Sequence, residues 1–311
     1  MTPKIVMITG ANSGLGYDSA RQLAGIDGVE KVLLACRNKE KADAAKRSLA
    51  KATGKTSMYE IVLMDVSSLD SVRKAVDGLT YTVDAVVLNA GGGGGMTPAA
   101  MTDDGVTTIF GANVLGHVLL VDLLLEQKKI SSGGTVMLAG SEVARGVPQI
   151  GMAKPVLKNG SIKELTAIAD GSRFTTPKEQ TVDGMYGITK LVATLWIGSM
   201  ARKEPSIRFV TMSPGMSSGT AAMDAIPFVQ KMFFKILMKV MTLLGKAHTV
   251  ETGAKRYVDA LMETDTYKTG RFYASKVGAS GEVVDQEIHT DVFYKEDYQD
   301  NANTTIHKFI R

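Results

Sequence analysis

The sequence predicts an α/β fold in which a doubly wound, mainly parallel sheet of about seven strands carries helices on both faces. Three observations lead to this prediction. Short apolar runs rich in β-forming residues recur along the chain, amphipathic helical segments alternate with them, and a glycine or polar residue follows each run. With 311 residues the chain can bury a sizeable core, and residues 1–311 are expected to form a single domain.

The composition narrows the classes of function. With 44% hydrophobic and 22% charged residues, the chain is typical of a soluble globular protein. The net charge of +4 is small and dispersed, so no nucleic-acid partner is expected. Cys36 is the single cysteine, which excludes an intrachain disulfide, and the four histidines show no metal-ligand spacing. We expect a cytoplasmic protein, because neither a signal peptide nor an apolar run of transmembrane length is apparent.

The first strand and helix predict a cofactor site. Residues 4–9 (KIVMIT) read as a buried strand, and residues 17–24 are compatible with a helix. The turn between them contains glycines that permit a tight turn and let a pyrophosphate approach the backbone. The helix N-terminus then offers free N–H groups and the positive end of its dipole. We therefore predict that a dinucleotide in a Rossmann-type site contacts Gly10, Asn12, Ser13, Gly14, Leu15 and Gly16.

The end of the second strand predicts which dinucleotide is bound. Residues 31–36 form this strand, and Arg37 and Lys39 follow it before the first acidic residue, Glu40. In Rossmann units this position meets the adenosine ribose, where an acidic residue binds the 2′-hydroxyl of NAD and an arginine accommodates a 2′-phosphate. NADP(H) is therefore the predicted cofactor, with Arg37 at its ribose.

Three further strands end in polar or small residues. Ligands of such sheets bind beyond the carboxyl ends of the strands, so these residues are expected to border the crevice. Asp65 and Val66 follow residues 58–64, Asn89, Ala90 and Gly91 follow residues 84–88, and Ser141 follows residues 134–140. The glycine run at residues 91–95 is either a mobile loop beside the cofactor or a flexible linker.

Residues 114–129 are apolar over more than one helical stripe. Such a helix should be buried on several sides, in the core or at a subunit interface. His117 lies within it and is expected to be a packed or hydrogen-bonded histidine rather than a catalytic one. The polar tail from about residue 291 is expected to be poorly ordered.

Tyr186 and Lys190 are four residues apart in a helical segment and so share one face. A nearby ammonium favours the phenolate, which would lower the pKa of Tyr186 towards working pH and suit a proton donor to a carbonyl oxygen. The same spacing also occurs on ordinary solvated helices. The pair therefore needs support from the other motifs.

Taken in chain order, these motifs resemble those of the short-chain dehydrogenases/reductases. The motifs are residues 9–16 (TGANSGLG), Asp65-Val66, Asn89-Ala90-Gly91, Asn113, Ser141, Tyr186 with Lys190, and Pro214-Gly215. The resemblance implies that Tyr186 is the general acid/base and that Lys190 lowers its pKa and binds the nicotinamide ribose. It also implies that Ser141 hydrogen-bonds the substrate oxygen and that Asn113 holds a water of the proton relay. Pro214, Gly215 and Thr220 would border the cofactor.

An insertion at residues 147–183 separates Ser141 from Tyr186, which stand 45 positions apart. It is polar and loop-like, and resembles the retinol-dehydrogenase-like branch and, more closely, the light-dependent protochlorophyllide reductases. Residues 34–37 (LACR) and 270–275 (GRFYAS) also resemble that reductase. In place of its cysteine after Pro-Gly, however, this chain has Met216, and its Asn-Ala-Ala is Asn-Ala-Gly here. We expect a relative of that reductase rather than the reductase itself.

Residues 216–248 are expected to cover the substrate. Within them, residues 226–244 carry Lys231, Lys235 and Lys239 on one helical face, among phenylalanines, methionines and leucines. The segment is a lid over an apolar substrate, an interfacial helix in peripheral contact with a membrane, or a helix packed on the core. The first two interpretations favour a small lipophilic substrate.

Three functions remain open from the sequence. The first is an NADP(H)-dependent carbonyl reductase or alcohol dehydrogenase for a bulky apolar substrate, with Tyr186 as acid/base. The second is reduction of a conjugated C=C bond, as in protochlorophyllide reductase, and the third is a non-catalytic sensor or scaffold that binds NADPH. The family resemblance implies a homo-oligomer built on helices near residues 115–129 and 186–202, although the insertion could equally keep the chain monomeric.

Overall fold

The computed structural model describes residues 2–93, 97–217 and 247–310. The strands are β1 (Ile5–Thr9), β2 (Lys31–Cys36), β3 (Tyr59–Leu63), β4 (Val83–Leu88), β5 (Ile130–Ala139), β6 (Arg208–Met212), β7 (Phe272–Val277) and β8 (Ser280–Asp285). In this part of the chain they form one eight-stranded sheet of order β3-β2-β1-β4-β5-β6-β7-β8. The pairings are parallel from β3 to β7, whereas β8 pairs antiparallel with β7 at the edge. The predicted fold class is confirmed, with the hairpin strand β8 added.

Helices cover both faces of this sheet. They are α1 (Gly14–Leu23), α2 (Lys39–Thr53), α3 (Leu69–Asp77), α4 (Thr108–Phe110, Gly111–Leu115 and Gly116–Glu126), α5 (Ile162–Ala169), α6 (Val182–Lys203), α7 (Val250–Met262) and α8 (Glu296–His307). Side chains alternate across strand β1, so that Met7 packs with α3, α4, α6 and α8, whereas Val6 and Ile8 pack with α1, α2 and α7. Each face therefore has its own apolar core.

Local sequence explains where several helices begin and end. Asn38 caps α2 by accepting a hydrogen bond from the backbone N–H of Lys41 at 2.8 Å, and Gly54 ends that helix with φ +72°. Thr181 caps α6 in the same way, accepting from the N–H of Gly184 at 3.3 Å. The start of α6 is thereby fixed one turn before Tyr186.

Helix α4 is the core helix that the sequence predicted. Its middle part, Gly111–Leu115, is π-helical, and α-helical turns precede and follow it. By length and composition Thr108–Glu126 could cross a membrane, but 72% of its most apolar 18-residue window is buried inside the fold. The prediction of a helix buried on several sides is therefore confirmed.

Two segments are more ordered than the sequence suggested. The insertion at residues 147–183 contains α5, whose Leu165 and Ile168 join the core beside α6 and α8. The carboxylate of Glu164 accepts backbone N–H groups from residues 158–160 and pairs with Arg173 at 2.8 Å. The tail expected to be poorly ordered forms α8, which buries Ile306. Both expectations were wrong because a few apolar residues within polar segments are enough to dock a helix.

Candidate active site

The glycine turn after β1 closes against Asn89, which follows β4. The amide nitrogen of Asn89 donates to the carbonyl of Thr9 at 2.8 Å. A Cβ atom on Gly16 would lie only 2.6 Å from this nitrogen and from the carbonyl oxygen of Gly10, whose own φ is +67°. Glycine is therefore required where the turn, the strand end and the start of α1 meet, at the point where the strand order reverses.

Helix α1 begins directly at this turn. Its N-cap residue, Ser13, is extended and makes no side-chain cap hydrogen bond, and its first turn carries no acidic residue. The first-turn N–H groups and the positive dipole end are thus left for an anionic ligand. The predicted residues Asn12, Ser13, Gly14 and Leu15 lie in or beside this turn, as expected for a pyrophosphate site.

The next two strand ends lie beside this turn in the sheet. Arg37 follows β2 and is exposed, whereas the ammonium of Lys39 pairs with Asp43 at 2.8 Å. The Asp65 carboxylate accepts hydrogen bonds from the backbone and hydroxyl of Ser67, closing the turn after β3. The following residue, Val66, contacts α4: its carbonyl oxygen would lie 1.8 Å from a Cβ atom on Gly116.

Asn113 lies in the π-helical turn and is fully buried. Its amide nitrogen donates to the carbonyls of Gly92 at 2.7 Å and Ile109 at 2.8 Å, and its amide oxygen accepts from the N–H of Gly92 at 3.1 Å. A Cβ atom on Gly91 would lie 2.5 Å from that oxygen. The start of the glycine run is therefore bound to α4, while residues 94–95 lie outside the described part.

His117, one turn later, stabilises the same strand ends. Its Nε2 atom lies 3.0 Å from the hydroxyl of Thr9, which also accepts the N–H groups of Asn89 and Ala90 at 2.9 and 2.8 Å. Burial, followed by the charge of Lys190, lowers the pKa of His117 to about 3, so the ring is neutral at physiological pH. The prediction of a packed, hydrogen-bonded histidine is confirmed.

Ser141 follows β5 and is partly exposed. Its hydroxyl accepts the N–H of Val143 at 3.5 Å and caps the short 3-10 turn Glu142–Ala144. This turn packs against α6, because a Cβ atom on Gly187 would lie 2.9 Å from the carbonyl oxygen of Val143. The end of β5 is thus held next to Tyr186.

Tyr186 and Lys190 lie together on α6. The ammonium of Lys190 is 5.6 Å from the centre of the Tyr186 ring and donates to the carbonyl of Ala139, the last residue of β5, at 2.9 Å. Burial lowers the pKa of Lys190 to about 8. Burial, assisted by the charge of Glu142, raises the pKa of Tyr186 to about 12. The predicted lowering of this pKa is thus not seen, because burial and the Glu142 carboxylate both disfavour the phenolate.

The Pro214-Gly215 turn follows β6. Gly215 has φ +74°, and its N–H donates to the hydroxyl of Ser213 at 3.2 Å. A Cβ atom on Gly215 would lie 2.6 Å from the ring of His248, so the turn is packed from the C-terminal side as well. The predicted contact Thr220 and the segment at residues 226–244 lie outside the described residues.

Sequence reasoning missed a buried ionic group beside this site. Glu142 and Arg256 form an ion pair at 3.5 Å, with side chains only 4% and 6% exposed. The sequence contains one signal of this ionic group, namely the acidic residue directly after the serine that follows β5. Its partner lies 114 positions away, and such a pairing cannot be read from one sequence. Across the described ranges, no group of three or more histidine, cysteine or acidic side chains could hold a metal ion.

Comparisons with known proteins agree with this geometry. The family model described as short chain dehydrogenase matches residues 4–153. The chain is 30% identical to protochlorophyllide reductase of Avena sativa over 287 residues, covering 87% of this chain and 88% of that protein. It is 31% identical to the chloroplastic protochlorophyllide reductase B of Hordeum vulgare over 290 residues, covering 86% and 69%.

Solved structures show the same fold. L-sorbose reductase from Gluconobacter frateurii, complexed with NADPH and L-sorbose, superposes with a TM-score of 0.64 at 20% identity, over 89% of this chain and 97% of that one. Salutaridine reductase from Papaver somniferum superposes with a TM-score of 0.62 at 16% identity, over 88% and 100%.

Proposed function

The chain belongs to the short-chain dehydrogenase/reductase family, and from this premise we propose that it is an NADP(H)-dependent oxidoreductase. It transfers hydride to or from the carbonyl or alcohol carbon of a bulky apolar substrate. The observation that carries the proposal is the pair formed by the partly buried Tyr186 and the buried Lys190, held against the end of β5 where Ser141 follows. A phenol and an ammonium lie beside the strand end that the hydroxyl of Ser141 follows, and these are the groups that we assign to carbonyl reduction.

The glycine turn and the uncapped start of α1 fit the pyrophosphate of a dinucleotide, since a Cβ atom at position 16 would fill the space that the turn leaves. When bound, NADP(H) would supply or accept the hydride at its nicotinamide. Arg37 is exposed at the end of β2, where the ribose of a bound dinucleotide is expected, whereas Lys39 is already paired with Asp43. Arg37 is therefore the residue that we assign to the 2′-phosphate.

The proposed proton transfer involves side chains of α6 and of the turn after β5. Burial raises the pKa of Tyr186 to about 12, so the phenol is protonated at neutral pH and carries the proton that a developing alkoxide would take. The raised pKa also makes it a weaker acid, so the phenolate left behind would need stabilisation. The Ser141 hydroxyl would donate to the same oxygen. The ammonium of Lys190 is oriented by Ala139 and lies close enough to the ring to stabilise the phenolate after proton transfer.

Reduction of a conjugated C=C bond is the second candidate. It is favoured by the 30–31% identity to protochlorophyllide reductases across most of the chain. A cysteine cannot be the proton donor in this chain, because Cys36 is buried at the end of β2 and burial raises the pKa of its thiol to about 11. In this candidate function Tyr186 would again have to supply the proton.

A non-catalytic sensor or scaffold would also bind NADPH. Such a protein has no physical need for a desolvated lysine beside a phenol, since burying an ammonium costs free energy. The presence of this costly pair next to Ser141 favours turnover over binding alone.

The test is NADPH oxidation measured over a panel of aldehydes, ketones, retinoids and quinones, with Tyr186→Phe as the blank. We expect at least one lipophilic carbonyl to be reduced by the wild type and not by the blank. Protochlorophyllide is assayed in parallel in darkness and under illumination. Light-dependent turnover of protochlorophyllide would favour the second candidate, and NADPH binding without turnover of any compound would favour the third.

A further inference from the structure

Glu142 directly follows Ser141, in the turn that packs on α6 at Gly187, and it is almost completely buried. Donors converge on both oxygens of its carboxylate. The hydroxyl of Ser213 reaches Oε2 at 2.5 Å, while Oε1 receives the N–H and hydroxyl of Ser275 at 3.1 and 2.9 Å and the guanidinium of Arg256 at 3.5 Å. A carboxylate with so many donors is a built acceptor site.

The protons around Glu142 have one consistent arrangement. The hydroxyl of Ser213 accepts the N–H of Gly215 at 3.2 Å, so its own proton is directed at the carboxylate. The hydroxyl of Ser275 accepts from Arg256 at 3.1 Å and likewise donates to Glu142. Each described group that hydrogen-bonds to the carboxylate is thus a donor. A glutamine at position 142 would turn its NH₂ group towards one of these donors, and that hydrogen bond would be lost.

This network joins three neighbouring strands of the sheet. Glu142 follows β5, Ser213 follows β6, and Ser275 lies in β7. Through Ser213 the carboxylate also holds Gly215, in the turn assigned to the cofactor. Because the turn containing Glu142 packs on α6 at Gly187, a shift of the carboxylate would move Ser141 relative to Tyr186.

We propose that Glu142 is a positioning residue of the active site, whose buried carboxylate holds the turns after β5 and β6 in place against the proton donor on α6. The inference rests on the proposed function. It adds that the negative charge of this residue, as well as its hydrogen bonds, acts on Tyr186.

The electrostatic surroundings support this second role. Within the described ranges, several charged and titratable groups act on Glu142 or Tyr186. They are Arg145, Lys190, His248, Arg256 and Tyr257. The pKa of Tyr186 is raised first by burial and then by Glu142. The carboxylate thus opposes ionisation of the phenol, whereas the ammonium of Lys190 favours it, so the charge of Glu142 affects how far the pKa of Tyr186 lies above its ordinary value.

Two variants separate charge from position. Glu142→Gln keeps the volume but removes the charge, and Glu142→Asp keeps the charge but shortens the reach. The ionisation of tyrosine is followed by ultraviolet absorbance as the pH is raised. Each variant is measured with Tyr186 present and with Tyr186→Phe, and the difference between the two curves is the titration of Tyr186. This titration needs no substrate, so it remains informative even if the proposed function fails.

For Glu142→Gln we expect Tyr186 to titrate at a lower pH than in the wild type, by less than burial alone raises its pKa. For Glu142→Asp we expect the titration to stay near the wild-type value, while kcat on a substrate from the panel falls by between about tenfold and a hundredfold. Glu164→Gln is the matched control, because it removes a hydrogen-bonded carboxylate from the insertion and should not move the Tyr186 titration.

An unchanged Tyr186 titration in Glu142→Gln would overturn the electrostatic role, and an unchanged kcat in Glu142→Asp would overturn the positioning role. If Glu142→Gln does not fold, the aspartate variant decides the question of position on its own. An equal shift in Glu164→Gln would show that the effect is merely structural.

Discussion

Replacing Tyr186 with phenylalanine removes the phenolic proton and retains the ring beside Lys190. We expect kcat to fall by about 10²- to 10⁴-fold, because a positioned acid contributes a factor of that size. NADPH binding, followed by cofactor fluorescence, should change little. Tyr257→Phe is the matched control, since it removes the hydroxyl of another buried tyrosine near the site. Comparable losses of kcat in both variants would exclude Tyr186 as the specific donor.

Arg37→Ala tests the preference for the cofactor. The exposed guanidinium at the end of β2 is assigned to the 2′-phosphate, so its removal should weaken NADPH binding by about tenfold or more and leave NADH binding nearly unchanged. Dissociation constants for both dinucleotides are measured by fluorescence titration. Lys39→Ala is the control, because its ammonium is paired with Asp43. Equal losses for NADPH and NADH would contradict the assignment.

At the scale of single residues, some features of the candidate site follow from the sequence and others do not. Tyr186, Lys190, Ser141 and the glycine turn could be named as candidate site residues because each belongs to a short motif with its own chemical reason. The network around Glu142 could not, since Ser213, Ser275 and Arg256 come from distant parts of the chain. Likewise, spacing alone predicted a lowered pKa for Tyr186, whereas the raised value depends on burial that only the fold supplies.

At the scale of elements, the close approach of α4 to the end of β3 depends on Gly116. Alanine normally stabilises a helix by about 1 kcal/mol relative to glycine. Here its Cβ atom would lie 1.8 Å from the carbonyl oxygen of Val66, a backbone atom that cannot move aside alone. We therefore expect Gly116→Ala to lower the free energy of unfolding by about 1–3 kcal/mol.

Urea unfolding measures this change. Gly78→Ala is the control, because a Cβ atom there would have its nearest contact at 3.4 Å and the residue has an ordinary helical conformation. Its free energy of unfolding should stay within about 0.5 kcal/mol of the wild type. If Gly116→Ala were as stable as Gly78→Ala, α4 would not be held against β3 as described.

The elements that were mispredicted share one physical reason. The insertion and the tail are polar overall, so a pattern-based reading assigns them to loops. In the structure, α5 and α8 pack on α6 and on each other, and each needs only a narrow apolar stripe for this. Helices that are stabilised by a partner distant in sequence cannot be recognised without that partner.

At the scale of the whole molecule, α8 also contacts α4 through an ion pair. His307 lies 2.9 Å from the carboxylate of Asp122, whose hydrogen bond raises the pKa of the histidine above its ordinary value of 6.5. Because the folded state favours the protonated ring, the stabilisation is fully present below pH 6.5 and is lost as the pH rises through the raised pKa. Both side chains are partly exposed, so the contribution should be only a few tenths of a kcal/mol.

His307→Gln should therefore lower the free energy of unfolding at pH 5.5 more than at pH 9, values chosen on either side of the raised pKa. Denaturant titrations at both pH values measure the difference. In an Asp122→Asn background the pH-dependent part should disappear. A loss of stability of equal size at both pH values would show that packing, rather than the ion pair, fixes α8 on α4.

The position of α8 also predicts the oligomeric state. The family resemblance implied a homo-oligomer through residues 115–129 and 186–202, and the insertion left a monomer equally open. Most apolar residues of α6 from Met185 to Met200 are buried within a single chain. Asp300 of α8 additionally binds Ser199 and Arg202 of α6, each at 2.6 Å. A stable dimer needs roughly 800 Å² of complementary surface per partner, and on this face α8 already occupies the place of a second copy.

We therefore expect the protein to be a monomer, which light scattering coupled to size-exclusion chromatography measures over a range of concentrations. NADPH should not change the observed mass, because the glycine turn lies at the carboxyl ends of the strands, away from α8. Asp300→Ala with Arg202→Ala should loosen α8 and expose apolar residues of α6, so self-association in this variant would support the covering role. A wild-type dimer whose interface contains α6 would contradict it, since α8 would first have to leave that face.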